Sequence, residues 1–275
     1  MPATPAEKRA AFRALHTSGC FMLPNPWDAG SAAYLASLGF QAVATTSSGY
    51  AWSKAQADNH VTRDAVLAHL REMAAATDLP VNADFENGFG VDAAAVAESV
   101  RLAVATGVAG LSIEDSTGAA DGSLFPLAVA VARIKAARQA IDENGGDTLL
   151  VGRAENFFTG KPDIDDVLVR LRAYSEAGAD CLYAPGIKTR AHIEAVVKAV
   201  APKPVNLLVS APSEFTLEDL AAMGVRRVSV GGALARAAWG GAMRAAQALA
   251  QGRFDGFADA ASGAELNALF SKARE

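Results

Sequence analysis

The chain has 275 residues, a length compatible with two compact domains or with one closed α/β barrel. Hydrophobic residues make up 51% and charged residues 20%, and the apolar runs are strand-length pieces broken by Gly, Pro or charge, which excludes a bilayer-spanning segment. The formal net charge is -5, and Lys and Arg are scattered along the helical stretches, so no electrostatic footprint for nucleic acid or an anionic membrane surface is present.

Short runs rich in Val, Ile, Leu and Phe alternate with longer Ala-rich helical patterns along the whole chain. A leading helix is expected over about 5–16, followed by strands near 20–25 (CFMLPN) and 41–46 (QAVATT). Between these two strands Asp28 leads into AGSAAYLASL, which halts at Gly39. Thr62 caps the next helix, and a strand follows near 80–86 (PVNADFE). Asp92 caps a helix that ends at Gly107, before a strand near 110–115 (GLSIED). Pro126 opens the helix that stops before Gly145, ahead of strands near 147–153 (DTLLVGR) and 179–184 (ADCLYA). Thr189 and Thr216 lead the last helices between strands, which flank 203–209 and 226–231, and a helical extension covers about 253–275.

Eight strand and helix units without a Pro/Ser-rich linker predict one α/β domain over 1–275, a (β/α)8 TIM barrel. An open doubly wound sheet is the rival, but neither GxGxxG after a strand nor GxxxxGK[ST] occurs. Gly231 and Gly232 could expose amides to an anion or serve tight packing. Cys20 and Cys181 form neither a disulfide framework nor a CxxC pair. The first residues lack an apolar signal core, so a cytoplasmic location is expected.

In such a barrel the polar residues that close each strand converge on one mouth. Here they are Asn25, Trp27 and Asp28; Thr45 to Ser48; Asp84 and Glu86; Glu114 and Asp115; Arg153, Glu155 and Asn156; Tyr183; and Asn206 and Ser210. Asp84 and Glu86, two apart on a strand, should share a face, with Glu114 arriving from the neighbouring strand. Three adjacent carboxylates repel unless a cation joins them, and an all-oxygen set suits Mg²⁺ or Mn²⁺. Pairing with Lys or Arg, or plain solvation, is the alternative. Arg153 at the end of an apolar strand needs an anion, either Glu155 or a substrate carboxylate. His16, His60, His69 and His192 form no zinc pattern, and His69 and His192 read as helix-surface residues. Ser47 and Ser48 lack a GxSxG context, and Cys181 reads as core.

The blocks LPNPWDAGSA, TTSSGYAWS leading to Asp58, VNADFENGFG, GLSIEDSTG and VGRAENF occur together and in order, and through them the chain resembles the isocitrate lyase / phosphoenolpyruvate mutase superfamily. The resemblance implies a barrel whose C-terminal helix is exchanged between subunits, as a homodimer or a homotetramer built as a dimer of dimers. It further implies a Mg²⁺-dependent reaction on a small carboxylate through an enolate of a pyruvate-like unit. By resemblance Asp84 is the direct metal ligand, and Asp58, Glu86 and Glu114 hold the metal's waters. Thr46, Ser47 and Ser48 would bind the substrate carboxylate, with Arg153 as the cationic partner, and Arg153, Glu114 and Asp58 as the catalytic set. Trp27, Tyr183 and Asn206 are candidates for contacts that select the substrate.

Two departures stand out. The second acid of the family's D-x-D pair is Glu86, and the lyase branch's KKCGH loop is replaced by STGAADGSLFPL, which removes that loop's cysteine acid. The loop also has no Lys or Arg for a phosphoryl group, so carbon–carbon cleavage of a 2-oxo or 2-hydroxy di- or tricarboxylate is expected over phosphorus–carbon chemistry. A protein that binds 2-oxo acids with little turnover is the remaining alternative. Segment 116–125 is expected to act as a lid, and Tyr183, Glu155, Ser116 and Ser123 are the candidate acids.

Overall fold

The computed structural model describes residues 2–272; the last three residues of the expected C-terminal extension lie outside them. Eight strands form one sheet: β1 (Phe21–Leu23), β2 (Val43–Ala44), β3 (Val81–Asp84), β4 (Gly110–Glu114), β5 (Leu149–Arg153), β6 (Cys181–Tyr183), β7 (Val205–Leu208) and β8 (Arg227–Ser229). Every ladder is parallel, in the order β1-β8-β7-β6-β5-β4-β3-β2. This is the expected TIM barrel. The seam between β1 and β2 closes without a ladder, through Ala44 N donating to Pro24 O (3.0 Å) and Asn25 Nδ2 donating to Thr45 O (2.9 Å). Pro24 and Pro26 carry no N–H, so the first strand cannot pair further along this edge.

The helices are α1 (Pro5–Leu15), α2 (Ala29–Ser37), α3 (Ser47–Ser53), α4 (Arg63–Ala76), α5 (Ala93–Val104), α6 (Leu127–Asp142), α7 (Ile164–Glu176), α8 (Arg190–Val200), α9 (Leu217–Ala222), α10 (Ala233–Ala250) and α11 (Gly263–Lys272). Helices α2 to α9 lie between consecutive strands, α1 precedes β1, and α10 and α11 follow β8. Asp28, Thr62, Asp92, Thr189 and Thr216 each accept a hydrogen bond from the third residue beyond them, so the helix starts were legible. Gly39 and Gly107 follow α2 and α5 at φ +84° and +90°, the left-handed exit that a side chain resists. The short α3 was not expected; Thr46 caps it, its hydroxyl accepting from Gly49 N (3.4 Å).

Two apolar layers result. The larger lies between sheet and helices, and the smaller fills the barrel with Phe21, Leu23, Ala44, Leu149, Val151 and Cys181. Phe12 of α1 plugs the amino end of the barrel, fully buried, with His16 edge-on to it (4.7 Å). Cys181 is buried as expected, and burial pushes its thiol up. His69 is not on the helix surface: it is buried and stacked on Tyr50 at 3.9 Å. It falls on the α4 stripe of Val66, Leu70 and Met73, and α4 turns that stripe inward. His192 is half-buried against Phe157. At the other end of the chain α11 packs on α2 of the same chain, where Phe270 approaches Gly30. Among the described residues no helix is long and apolar enough to cross a membrane.

Candidate active site

The carboxyl ends of the strands open into a cavity of about 470 Å³ whose wall includes Thr46, Ser47, Ser48, Asp58, Asp84, Glu114, Arg153, Glu155, Tyr183 and Asn206. Most of the predicted site residues therefore meet in one place. Trp27 does not line it: it is half-buried, and a methyl group at Gly49 would stand 2.9 Å from its Cβ, so Trp27 packs behind α3. Glu86 is not in the lining either, and it is not on a strand. β3 ends at Asp84, the chain turns with Gly88 N donating to Phe85 O (2.9 Å), and Glu86 takes φ +48°. That left-handed turn, rather than strand alternation, buries Glu86 beside the other acids.

Arg153 is the hub. Its guanidinium reaches Asp84 (2.7 Å), Glu114 (3.1 Å) and Glu155 (2.8 Å), and it stands over the Tyr183 ring at 4.9 Å. β4 and β5 pair Glu114 with Arg153 directly, which sets this geometry. Burial works against the charge on Arg153, but Glu155, Glu114 and Asp84 outweigh it and hold the group charged. One cation among several acids cannot satisfy them all. Burial drives Glu114 well above the usual carboxylate range, against the pull of Arg153. Burial likewise lifts Glu155 to about 7. Glu86 is pushed up to about 8 by burial and then by Asp84 and Asp58, and Asp58 is raised by burial and Asp84.

Backbone tethers fix the acids. Asp84 accepts from Ser47 N (2.9 Å), and its own N donates to Thr45 Oγ1 (2.9 Å). Asp115 accepts from Glu155 N (2.9 Å), from Tyr174 (2.5 Å) and from Arg170 (3.1 Å), so a residue beneath the mouth holds the strand-5 loop. Arg170 also donates to Phe125 O (3.0 Å) at the base of the lid segment. In that segment Ser116 bridges Leu124, and Thr117 N donates to Ser123 O (3.0 Å), giving a small hairpin. Ser116, Gly118, Ala119 and Gly122 face the cavity. Gly231 N and Val230 N both donate to Asn25 Oδ1 (2.8 and 2.9 Å), and a methyl at Gly232 would stand 2.8 Å from Ser48 Oγ. Close packing accounts for Gly232 and the Gly231 amide is already used, while both glycines line the cavity.

The fit of a divalent cation can be judged from these acids. Among the described residues no three His, Cys, Asp or Glu side chains close on one point as a direct cage. Mg²⁺ does not require one, since it binds through one or two carboxylates and keeps several waters. Five acids, Asp58, Asp84, Glu86, Glu114 and Glu155, gather round one guanidinium that touches three of them, and four are driven toward the protonated form. A hard dication with water-mediated contacts would relieve that excess of negative charge, so the donor set fits. Sequence reasoning did not single out Arg227, Asn82, Ser112 and Arg236, which also line the cavity. The alternation of Arg227 with Ser229 on β8 was the available signal.

Comparison with known proteins agrees with this geometry. The family model described as phosphoenolpyruvate phosphomutase matches residues 12–250. A crystal structure from Burkholderia cenocepacia J2315, described at the level of lyase/mutase, is 49% identical and superposes with a TM-score of 0.94, covering 97% of each chain. An uncharacterized protein of Mycobacterium tuberculosis (strain ATCC 25618 / H37Rv) is 34% identical over 88% of this chain and 90% of its own. An oxaloacetate decarboxylase of Bradyrhizobium sp. (strain BTAi1 / ATCC BAA-1182) is 34% identical over 62% of this chain and 58% of that enzyme. The chain belongs to the phosphoenolpyruvate phosphomutase family of enzymes, within the phosphoenolpyruvate mutase/isocitrate lyase superfamily.

Proposed function

We propose that the protein cleaves a carbon–carbon bond in a small 2-oxo or 2-hydroxy di- or tricarboxylate with Mg²⁺ or Mn²⁺ as cofactor. The observation that carries this reading is the Arg153 hub: one guanidinium shared by Asp84, Glu114 and Glu155 at the mouth of the barrel. Asp84, Glu114, Asp58 and Glu86 would hold the cation and its waters. When bound, the cation supplies Lewis-acid stabilisation of negative charge on the substrate oxygen next to the carboxylate. Arg153 and the Thr46 to Ser48 segment orient the substrate carboxylate, and Tyr183 and Asn206 bound the space beside it. Glu155, lifted to about 7, can hold and return a proton near neutral pH, the role left open by the missing cysteine loop. The 116–125 hairpin excludes water. An oxaloacetate decarboxylase among the relatives supports a 2-oxo dicarboxylate as the substrate class.

Phosphorus–carbon chemistry is the second reading, favoured by the family description, but the lid contributes no cation for a phosphoryl group. Exposed Trp239, Met243 and Leu249 on α10, with Phe254 and Phe257 just beyond it, support a homodimer or homotetramer in which these helices meet a second copy. Thermal melts with pyruvate, oxaloacetate and phosphonopyruvate, each with Mg²⁺ and with EDTA, test the reading. Stabilisation by a 2-oxo acid that needs Mg²⁺ and is lost in Asp84→Asn is expected. A melting point that no carboxylate raises in either condition refutes it.

A further inference from the structure

The cavity has two chemically opposite sides. One carries the acids and Arg153. The other, formed by β7, β8 and the start of β3, is lined by Asn82, Asn206, Arg227 and Ser229. Arg227 is 2% exposed, yet among the described residues it has no ion pair. Its Nε donates to Asn206 Oδ1 (2.8 Å), and its Nη1 lies near Asn82 Oδ1 (3.3 Å) and His16 Nε2 (3.4 Å). Burial holds His16 down to about 3, so it is neutral and accepts at Nε2 while its Nδ1 donates to Phe12 O (2.7 Å). Every one of these partners is neutral. Burial pushes Arg227 down as well, and the groups that act on it are Cys181, Tyr183 and Arg153, with no carboxylate among them.

A buried guanidinium is strongly stabilised by an anion, and among the described residues none is paired with it. Sheet register then sets the distance: Arg153 pairs with Tyr183, Tyr183 with Asn206 and Asn206 with Arg227, so both arginines belong to one row of side chains. Three strand spacings separate them, roughly 14 Å along the sheet at about 4.8 Å each. Two long side chains projecting into the same cavity close most of that span, leaving room for a short dicarboxylate.

We propose that Arg227 is the anchor for a second anionic group of the substrate, a carboxylate distal to the one oriented at Arg153. Arg227 would then select C4-type dicarboxylates over monocarboxylates. The inference rests on the proposed function and names the substrate class of the same site.

Calorimetry in excess Mg²⁺ tests it with three probes: pyruvate, malate, and malate whose distal carboxylate is an amide. Wild-type protein should prefer malate to its amide by roughly 10- to 100-fold, the worth of a charge-assisted contact in a buried site. Arg227→Gln should abolish that preference while pyruvate and the amide bind within about twofold of wild type. Equal binding of malate and its amide to wild-type protein overturns the proposal, as does an Arg227→Gln protein that loses all three ligands in proportion. Should Arg227→Gln fail to fold, Arg236→Gln decides: retained malate preference supports Arg227, and its loss assigns the contact to Arg236 instead. A wild type that binds none of the three probes refutes the platform reading, whereas binding of malate and its amide with equal affinity refutes only the second anchor.

Discussion

Glu86 gives the sharpest test of how this mouth carries its charge. Its carboxyl stands at about 8 in the folded protein against 4.5 for the free group, from burial first and then from Asp84 and Asp58. Below pH 4.5 both folded and unfolded chains hold the proton and the group contributes nothing. Between the two values the unfolded chain releases its proton while the native state keeps it, so stability falls as pH rises, at about 1.4 kcal/mol per pH unit. The full loss, reached above the folded value, is about 4 to 5 kcal/mol. Glu86→Gln removes it, so in EDTA the variant should gain several kcal/mol on wild type between pH 5 and pH 8, read from urea unfolding at several pH values. Because Asp58 is raised partly by Asp84 in the same cluster, the difference belongs to the group of acids as a whole. Mg²⁺ at pH 8 should narrow the gap by stabilising wild type. Parallel pH curves for the two proteins would refute the assignment of strain to this carboxyl.

Three further outcomes follow from the packing. Asp115→Ala removes the acceptor shared by Glu155 N, Tyr174 and Arg170, and should cost about 3 to 5 kcal/mol in urea unfolding; a loss under about 1 kcal/mol would show that Asp166 alone satisfies Arg170. Gly122→Ala adds a methyl 2.6 Å from Thr159 O at a residue with φ +64°, so the hairpin should detach. Faster proteolysis within 116–125 at an unchanged global melting point is the expected readout, and unchanged cleavage would mean the hairpin does not rest on Thr159. Phe12→Ala empties the plug of the barrel and should cost about 3 to 5 kcal/mol while leaving pyruvate affinity at the opposite end within twofold.

What could be read from the sequence, and what could not, divides along physical lines. Strands announced themselves as apolar runs and helices by their caps, because both signals are local; Thr62 and Asp92 work in the fold as their spacing predicts. Glu86 escaped because strand alternation holds only while the strand lasts. A left-handed φ on a non-glycine residue has no sequence signature, and this one re-aims the acid. His69 was legible by position, three residues beyond Val66 on the buried stripe of α4, although its polarity points to the surface. Trp27 follows a strand end, yet the unforeseen α3 stands between it and the cavity.

Arg153 and Arg227 show why charge at a barrel mouth cannot be assigned residue by residue. The sequence offered Arg153 either Glu155 or a substrate carboxylate; folding gives it Glu155 together with Asp84 and Glu114, so its full charge is already engaged. A substrate anion cannot draw on that cation alone without releasing acids that are driven toward protonation. A dication beside the acids would offset their charge and free Arg153 to orient a carboxylate, while Arg227 holds positive charge in reserve across the cavity. A dication and a dicarboxylate would together balance both halves, since among the described residues neither half is balanced by the protein itself. Metal and dianion should therefore bind with positive coupling, each tightening the other, and by linkage the factor must be the same in both directions. Titrating malate at low and saturating Mg²⁺, and Mg²⁺ with and without malate, measures that factor twice. A factor of one, with the two ligands binding independently, would refute this account of how the site balances its charge.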